Sequence, residues 1–253
     1  MVDRRHGRCV VRAVRGAHAP RSLPEFVGAR RRLAFESILS AQAGIHANRA
    51  QGRGLARRIS ISNALHDEIV ARFPFELTEG QQRTLRELRV DLGRDWPMRR
   101  LLQGDVGAGK TVVALYAAIG VAECGGQAAF MAPTELLAEQ HFYGMREILK
   151  DAGIDAALLT GSVKGEERRG LLNALANGSV QVVFGTHALF SQDVEYTQLD
   201  LAIIDEQHRF GVGQRAALAD KGEGVHTFLM TATPIPRTLA LTIYGDLDVS
   251  LLK

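Results

Sequence analysis

From Arg99 onward the sequence alternates short apolar runs with segments of helical length, and this rhythm constrains the fold more than any other feature. Such repeated strand–helix units are typical of a mostly parallel sheet. Nearly continuous apolar runs such as Leu201–Ile204 predict a sheet covered by helices on both faces, an α/β fold. The predicted strands are Arg99–Gln103, Ala128–Met131, Ala156–Leu159, Val180–Phe184, Leu201–Ile204 and Thr227–Met230.

Helices are predicted in the gaps between these strands, and three more precede the first strand. Thr78 is the expected N-cap of the third of these. The first carries an apolar stripe that needs a packing partner. The predicted helices are Pro24 to about Ala43, Ser60–Ala71, Thr78–Asp91, Gly109–Cys124, Thr134–Asp151, Lys164–Ala176, Gly213–Asp220 and Arg237–Tyr244.

The composition is that of an ordinary globular chain: 253 residues, 46% hydrophobic and 23% charged. Its longest nearly apolar run, Val112–Ala122, is shorter than the ~20 residues that a membrane-spanning helix requires, so we expect no membrane partner. The two cysteines, Cys9 and Cys124, predict free thiols in a reducing compartment. A cytoplasmic location is therefore expected.

Charge is unevenly distributed along the chain. Residues 1–60 contain thirteen arginines and three acidic residues, a local net charge of +10, so the rest of the chain carries −7. Such an arginine-rich leader binds phosphate backbones, directs import into an organelle or forms an ordinary solvated surface. The charge pattern alone leaves these alternatives open.

A complete phosphate-binding pattern follows the first strand after Arg99 and opens the next helix. Its glycines let the backbone curl around a phosphate with the N–H groups pointing inward, and the helix N-terminus favours an anion. In this pattern Lys110 reaches the β- and γ-phosphates, and the Thr111 hydroxyl ligates Mg²⁺. A chance glycine-rich turn is the weaker alternative, because strand and helix are both in place. The predicted ATP–Mg²⁺ site consists of Gly104, Asp105, Val106, Gly107, Ala108, Gly109, Lys110 and Thr111.

An acidic pair ends the predicted strand Leu201–Ile204. Asp205 is predicted to hold the Mg²⁺ shell, facing the loop from the neighbouring strand, and Glu206 to orient and deprotonate the attacking water. Taken alone, such a pair is more often a helix N-terminal cap, but the phosphate loop reverses that preference. Gln207 and His208 follow. Because no second His or Cys lies at metal-binding spacing from His208, we do not predict a metal-ligand role for it and expect both residues to couple neighbouring loops. The predicted catalytic residues are Lys110, Asp205 and Glu206.

Short polar clusters follow nearly every predicted strand. Because the carboxyl ends of parallel strands share one rim, these clusters and the phosphate loop are expected on one surface. Hydroxyls and backbone N–H groups can bind the phosphate backbone of a nucleic acid without reading its bases. Each threonine taken singly, however, fits a helix cap equally well. The candidate DNA contacts are Pro133, Thr134, Thr160, Gly161, Gly185, Thr186 and His187, and the candidate coupling residues are Thr231 and Thr233.

Five segments closely resemble the RecG family of ATP-dependent DNA helicases, and the resemblance extends over almost the whole chain. They are Gly104–Thr111, Pro133–His141, Gly185–Leu189, Asp205–Val212 and Met230–Leu239. The resemblance implies a RecA-like P-loop domain, the cofactors ATP and Mg²⁺, and branched or forked DNA as the partner of the intact protein. It also implies that Gln81 hydrogen-bonds the adenine edge and that Phe75 or Phe73 packs near the ring.

The resemblance further implies two domains and a missing remainder. Residues 1–72 would be an arginine-rich leader and helical connector, and residues 73–253 the ATP-binding, first RecA-like domain. Because this family also has a wedge domain and a second motor lobe, we expect a fragment. In two-lobed motors the transition-state arginine comes from the second lobe, so we expect nucleotide binding with little turnover. We also expect a monomer.

Two alternatives remain open at this stage. The transcription-repair coupling translocase shares much of this motor, including the segment Thr231–Leu239. Gln207, and the combination of Pro133–Glu135 with Glu139–His141, favour the RecG family. The second alternative is a catalytically silent nucleotide-binding module that acts through interactions.

Overall fold

The computed structural model describes residues 17, 22–36, 55–205, 221, 224–233 and 247–252. The chain divides into two compact units, residues 53–235 with 247–253, and residues 1–52 with 236–246. In the second unit, residues 23–36 are helical, which confirms the start of the first predicted helix. The predicted helices Gly213–Asp220 and Arg237–Tyr244 lie outside the described residues. Among the helices described, none is long and apolar enough to span a bilayer.

The larger unit is built on a seven-stranded sheet, in which every described strand pairing is parallel. Along the sheet the strand order is β3-β4-β2-β5-β6-β1-β7. The predicted α/β fold with a RecA-like parallel sheet is thereby confirmed. The strands are β1 (Arg99–Gly104), β2 (Gln127–Met131), β3 (Ala156–Leu159), β4 (Val182–Gly185), β5 (Leu199–Ile204), β6 (His226–Thr231) and β7 (Asp248–Leu252).

The helices of this unit agree with the predicted ones to within a few residues at each end. Two begin at the hydroxyl caps that the sequence suggests. Thr78 Oγ1 accepts from the N–H of Gln81, and Thr134 Oγ1 accepts from the N–H of Leu137, each at 3.3 Å. The helices are α1 (Asn63–Ala71), α2 (Glu79–Leu92), α3 (Lys110–Glu123), α4 (Glu135–Asp151) and α5 (Gly165–Ala176), with a 3₁₀ turn at His187–Phe190.

Both faces of the sheet are buried, as the continuous apolar strands predict. Side chains alternate between the two faces of a strand, so neighbouring residues report on opposite faces. Phe130 and Ile203 belong to the main hydrophobic cluster, and their neighbours Ala129 and Ala202 on the other face are equally inaccessible to solvent. Residues 59–61 join the same cluster through Ile59 and Ile61. Ile69 of α1 belongs to this cluster as well. The domain boundary suggested between residues 72 and 73 stays a prediction.

The strand order corrects one expectation about the site. Asp205 was predicted to lie on the strand next to the phosphate loop, but β6 lies between β1 and β5. Because neighbouring strands are about 4.8 Å apart, the ends of β1 and β5 are separated by roughly 10 Å. A local pattern cannot encode this order, which is decided by how the crossover helices pack. The carboxyl ends of all seven strands nevertheless share one edge, because the strands are parallel.

At the opposite edge lies the amino-edge cluster, which consists of Arg57, Gln198, Asp200 and His226. Arg57 Nη1 donates to Asp200 Oδ2 at 2.6 Å, and Gln198 Nε2 donates to the other carboxylate oxygen at 2.9 Å. His226 Nδ1 accepts from the N–H of Met98 at 2.9 Å, so Nε2 carries the hydrogen that bonds the Arg57 carbonyl at 3.0 Å. The cluster fastens the segment before α1 to β5 and β6.

Candidate nucleotide-binding site

The loop between β1 and α3 has the backbone that its glycines predict. Gly107 and Gly109 adopt φ values of +84° and +82°, the left-handed region that favours glycine. Lys110 is the first residue of α3, and its Nζ donates to the carbonyls of Gly104 and Asp105 at 2.8 Å each. The lysine at the end of the loop is thus hydrogen-bonded to the two residues at its start. Among the described residues, no carboxylate forms an ion pair with this ammonium group.

Gly104 is required for a second reason, the close approach of β7. A Cβ atom at this position would lie 2.9 Å from Leu252 Cβ and 3.2 Å from the Leu252 carbonyl oxygen. Such contacts are shorter than van der Waals packing allows, so a side chain would push β7 away from β1. The first glycine of the loop therefore serves the packing of the sheet as well as the curl of the backbone.

Gln81, the expected adenine-binding residue, contacts the loop itself in this structure. Its Oε1 accepts from the N–H of Thr78 at 2.9 Å, which completes a capping box, and its Nε2 donates to the carbonyl of Ala108 at 3.3 Å. Phe73 and Phe75 stack with their ring centroids 6.0 Å apart. Phe73 is buried, whereas 48% of Phe75 is exposed, so Phe75 is the ring available to a ligand. The adenine contact of Gln81 remains a prediction.

Asp205 directly follows β5 and is held on two sides. Its backbone N–H donates to the carbonyl of Met131 at 2.9 Å, so the residue is still fastened to β2. Its Oδ2 lies 2.9 Å from His141 Nε2, and each of these two side chains is 14% exposed. No role was predicted for His141. Its position between the buried Ala138 and Met145 on α4 is the signal that places it on the inner face of the helix.

The candidate DNA contacts lie at the same edge, and several already have partners within the protein. Thr134 caps α4, and Gly161 N–H donates to Glu135 Oε1 at 2.8 Å. Thr160 is buried and its hydroxyl lies 2.6 Å from that of Ser162. The structure therefore supports the helix-capping role for Thr134 and gives Gly161 an intramolecular partner, while their DNA contacts stay predictions.

The remaining rim residues differ in exposure. His187 is exposed, Pro133 is partly buried and Thr186 is buried. Gly185 ends β4 where an added Cβ would meet the Leu159 carbonyl of β3, so only glycine fits there. After β6, the hydroxyls of Thr231 and Thr233 lie 2.9 Å apart, and Thr233 N–H donates to Thr231 Oγ1 at 3.2 Å. This turn lies between the loop strand β1 and the Asp205 strand β5.

Comparison with known proteins identifies the family. The DEAD/DEAH box helicase family matches residues 78–242, which include the phosphate loop, Asp205 and the rim clusters. The chain belongs to this family.

Within the DEAD/DEAH box helicases, the chain is similar to RecG proteins, and the expected resemblance is confirmed. ATP-dependent DNA helicase RecG of Streptococcus pneumoniae is 47% identical over 244 residues, which are 95% of this chain and 36% of that protein. RecG of Bacillus subtilis is 44% identical, with 95% of this chain and 36% of that protein covered. A solved structure of RecG bound to a three-way DNA junction superposes with a TM-score of 0.80 and 42% identity over 95% of this chain and 33% of that one. The chain thus spans about a third of the length of these relatives.

Part of the predicted helicase site lies outside the described residues. Glu206, Gln207 and His208 belong to this part, as does the segment 234–239. Within the described residues, no group of three or more potential metal-ligating side chains occurs. The expected magnesium shell needs only one or two protein ligands, because the phosphates and water supply the rest. The expected protein ligands are the exposed Thr111 and the carboxylate of Asp205.

Proposed function

We propose that this chain is the ATP-binding lobe of a RecG-like DNA helicase or translocase. In the intact protein this lobe would contribute to remodelling branched DNA and stalled forks during repair and recombination. The observation that carries the proposal is the glycine loop, bridged by Lys110, at the same edge of a parallel sheet as Asp205. The similarity to RecG proteins makes a DNA motor the preferred use of this nucleotide site.

The loop residues fit a triphosphate. Gly107 and Gly109 turn the backbone where a side chain would be strained, and the N-terminus of α3 favours an anion. The Lys110 ammonium, which now bonds two carbonyls, would exchange them for phosphate oxygens, which are stronger acceptors because they are charged. Val106 at the tip of the loop is 89% exposed, so a ligand has access. Gln81 and Phe75 would provide the adenine side of the same site.

The groups that would act on the terminal phosphate come from the start of α3 and from the residues that follow β5 in the sequence. Thr111 and Asp205 would hold Mg²⁺, and the bound ion would neutralise charge on the phosphate oxygens. Glu206, next along the chain, would orient the attacking water and accept its proton. Lys110 would stabilise the charge on the β- and γ-phosphates. Gln207, His208, Thr231 and Thr233 would link these groups to the rim.

DNA would be bound at the carboxyl rim, by the residues predicted from the sequence. Backbone N–H groups, hydroxyls and the exposed His187 can contact phosphates without reading bases. The arginine-rich residues 1–60 would add attraction that weakens as the salt concentration rises. DNA affinity of these 253 residues should therefore be low and strongly dependent on salt.

The nucleotide site is tested by Lys110→Ala, with a fluorescent ATP analogue and Mg²⁺. We expect the affinity to fall about 100-fold or more, because two charge-assisted hydrogen bonds of about 1.5–3 kcal/mol each are lost. Lys150→Ala, which removes the same charge from an exposed position at the far end of α4, is the matched control. Equal affinities of the Lys110 variant and the unsubstituted chain would refute the assignment of the loop.

Hydrolysis is tested by the steady-state ATPase rate with and without branched DNA. We expect slow turnover by these 253 residues, since they span about a third of the length of the RecG relatives and in two-lobed motors the second lobe supplies the transition-state arginine. In a protein of full RecG length, Glu206→Gln should retain nucleotide binding and lose turnover. Fast, DNA-stimulated turnover by the 253 residues would contradict the expectation that hydrolysis needs an arginine from a second lobe. Normal turnover by the Glu206 variant would show that Glu206 does not activate the attacking water.

A further inference from the structure

We propose that His141 is a positioning residue that fixes the orientation of the Asp205 carboxylate. The inference rests on the proposed function, in which Asp205 holds Mg²⁺. His141 belongs to α4, whereas Asp205 follows β5, so the contact joins two elements that are far apart in the sequence. The distance between His141 Nε2 and Asp205 Oδ2 is 2.9 Å, and both side chains are largely withdrawn from solvent.

The imidazole is itself held in place by β2. Its ring packs against the Phe130 ring with the centroids 4.7 Å apart. The next residue of α4, Phe142, packs edge to face against Phe184 of β4, with centroids 5.8 Å apart. Rotation of α4 that carried His141 away from Asp205 would disrupt both contacts. The imidazole is therefore a fixed donor and not a mobile surface group.

Two neighbouring residues of β2 fix Asp205, one at its backbone and one through the imidazole of His141. Asp205 N–H donates to the Met131 carbonyl, which fixes its backbone, and Phe130 supports the imidazole that holds its side chain. Because a carboxylate only accepts hydrogen bonds, Nε2 carries the hydrogen in this contact. A ligand carboxylate that is oriented in this way binds a metal ion more tightly, since less rotational freedom is lost on binding.

The beginning of α4 is anchored at the carboxyl rim as well. Thr134 caps the helix, and Glu135 accepts from the N–H of Gly161 in the loop after β3. His141 lies about two helical turns further on, roughly 10 Å along the helix axis. The helix is thus fastened at both places, which explains how it can hold a side chain at a defined distance from β5.

The experiment measures how the affinity for a fluorescent ATP analogue depends on the Mg²⁺ concentration. For His141→Ala we expect the Mg²⁺ concentration that gives half of the full effect to rise about tenfold, the lower end of the range for groups that support metal ligands. Affinity in EDTA should be unchanged, because the loop that binds the phosphates is not touched. His141→Gln keeps an N–H donor at a similar reach and should restore most of the Mg²⁺ response.

Tyr143→Ala is the matched control, because it removes an exposed aromatic ring from the same helix. It should leave the Mg²⁺ response unchanged. An unaltered response of His141→Ala, a failure of Gln to restore it, or an equal loss of affinity in EDTA would each overturn the positioning role. No nucleotide binding by the unsubstituted chain would instead refute the proposed function, and the role of His141 with it.

Discussion

Asp200 and Asp205 stand at opposite ends of β5 and show how differently the two edges of the sheet are used. The Asp200 carboxylate is 3% exposed and bonds Arg57 and Gln198. The Asp205 carboxylate is 14% exposed, contacts His141 and lies at the edge that carries the glycine loop. Both are acidic residues at the end of an apolar strand, so residue type alone does not tell them apart.

The partners of a polar group therefore show its role better than its residue type does. At the amino edge, each member of the cluster is bonded to other parts of the fold, so its loss should affect stability. At the carboxyl edge, the Lys110 ammonium bonds two carbonyls of its own loop, and Thr111 and His187 are exposed. Loss of a group there should affect ligand binding more than stability.

Asp200→Ala should give the largest loss of stability. We expect the free energy of unfolding to fall by about 2–3 kcal/mol, less than the ~3–5 kcal/mol for breaking a fully buried pair, because Arg57 remains 39% exposed and can be hydrated. Urea unfolding followed by circular dichroism measures the change. Nucleotide affinity, measured where the variant is fully folded, should equal that of the unsubstituted chain, and a parallel loss would contradict the separation of the two edges.

Asp205→Ala should give the opposite result. We expect the affinity for the Mg²⁺–nucleotide complex to fall about tenfold, equivalent to about 1.4 kcal/mol, while the free energy of unfolding changes by less than about 1 kcal/mol. Titration with a fluorescent ATP analogue and urea unfolding measure the two quantities on the same sample. If stability fell as much as in the Asp200 variant, Asp205 would be a structural residue like Asp200.

How much of this could be read from the sequence depends on whether the signal is local. The backbone turn of the glycine loop, the hydroxyl caps at Thr78 and Thr134 and six of the strands rest on local patterns and were predicted correctly. β7 was missed because Asp248 and Ser250 interrupt its apolar pattern. Ser250 is buried in spite of its polarity, since its hydroxyl accepts from Arg100 Nη1 at 2.6 Å.

Features that depend on long-range packing could not be predicted. The position of β6 between β1 and β5, the salt bridge between Arg57 and Asp200 and the contact between His141 and Asp205 each join segments that are far apart in the sequence. Only the three-dimensional arrangement brings them together. The sequence did contain one hint, because the spacing of His141 from Ala138 and Met145 indicates that this polar residue faces inward.

The amino edge should also respond to pH. Burial lowers the pKa of His226 below its usual value of 6.5, and the hydrogen bond with the Arg57 carbonyl and the nearby Asp200 and Asp91 only partly oppose this effect. As the pH falls through 6.5, the unfolded chain takes up a proton that the folded chain does not bind, so stability decreases until the lowered pKa is reached. We expect a loss of up to about 1 kcal/mol per pH unit in this window.

The measurement is the free energy of unfolding between pH 7.5 and about 5, for the unsubstituted chain and for His226→Gln. The variant should be less stable at every pH, with a weaker decline toward acid. Burial also lowers the pKa of His66, which contributes a decline of the same sign to both proteins, so the difference between them isolates His226. An identical decline in both would show that His226 does not control this response.

The smallest effect tests whether Thr134 contributes both to stability and to DNA binding, since it caps α4 and lies at the proposed DNA rim. Thr134→Ala should lower the free energy of unfolding by about 1 kcal/mol, because the cap is lost. Thr134→Asp keeps the cap, as aspartate caps helices equally well, but places a negative charge beside the DNA backbone. Each repulsive contact with a phosphate costs about 1 kcal/mol, so single-stranded DNA affinity at low salt, measured by fluorescence anisotropy, should fall about fivefold. Unchanged DNA affinity of this variant would show that Thr134 acts as a helix cap and does not contact DNA. A DNA contact would then have to be tested separately for each of the other polar groups of the rim.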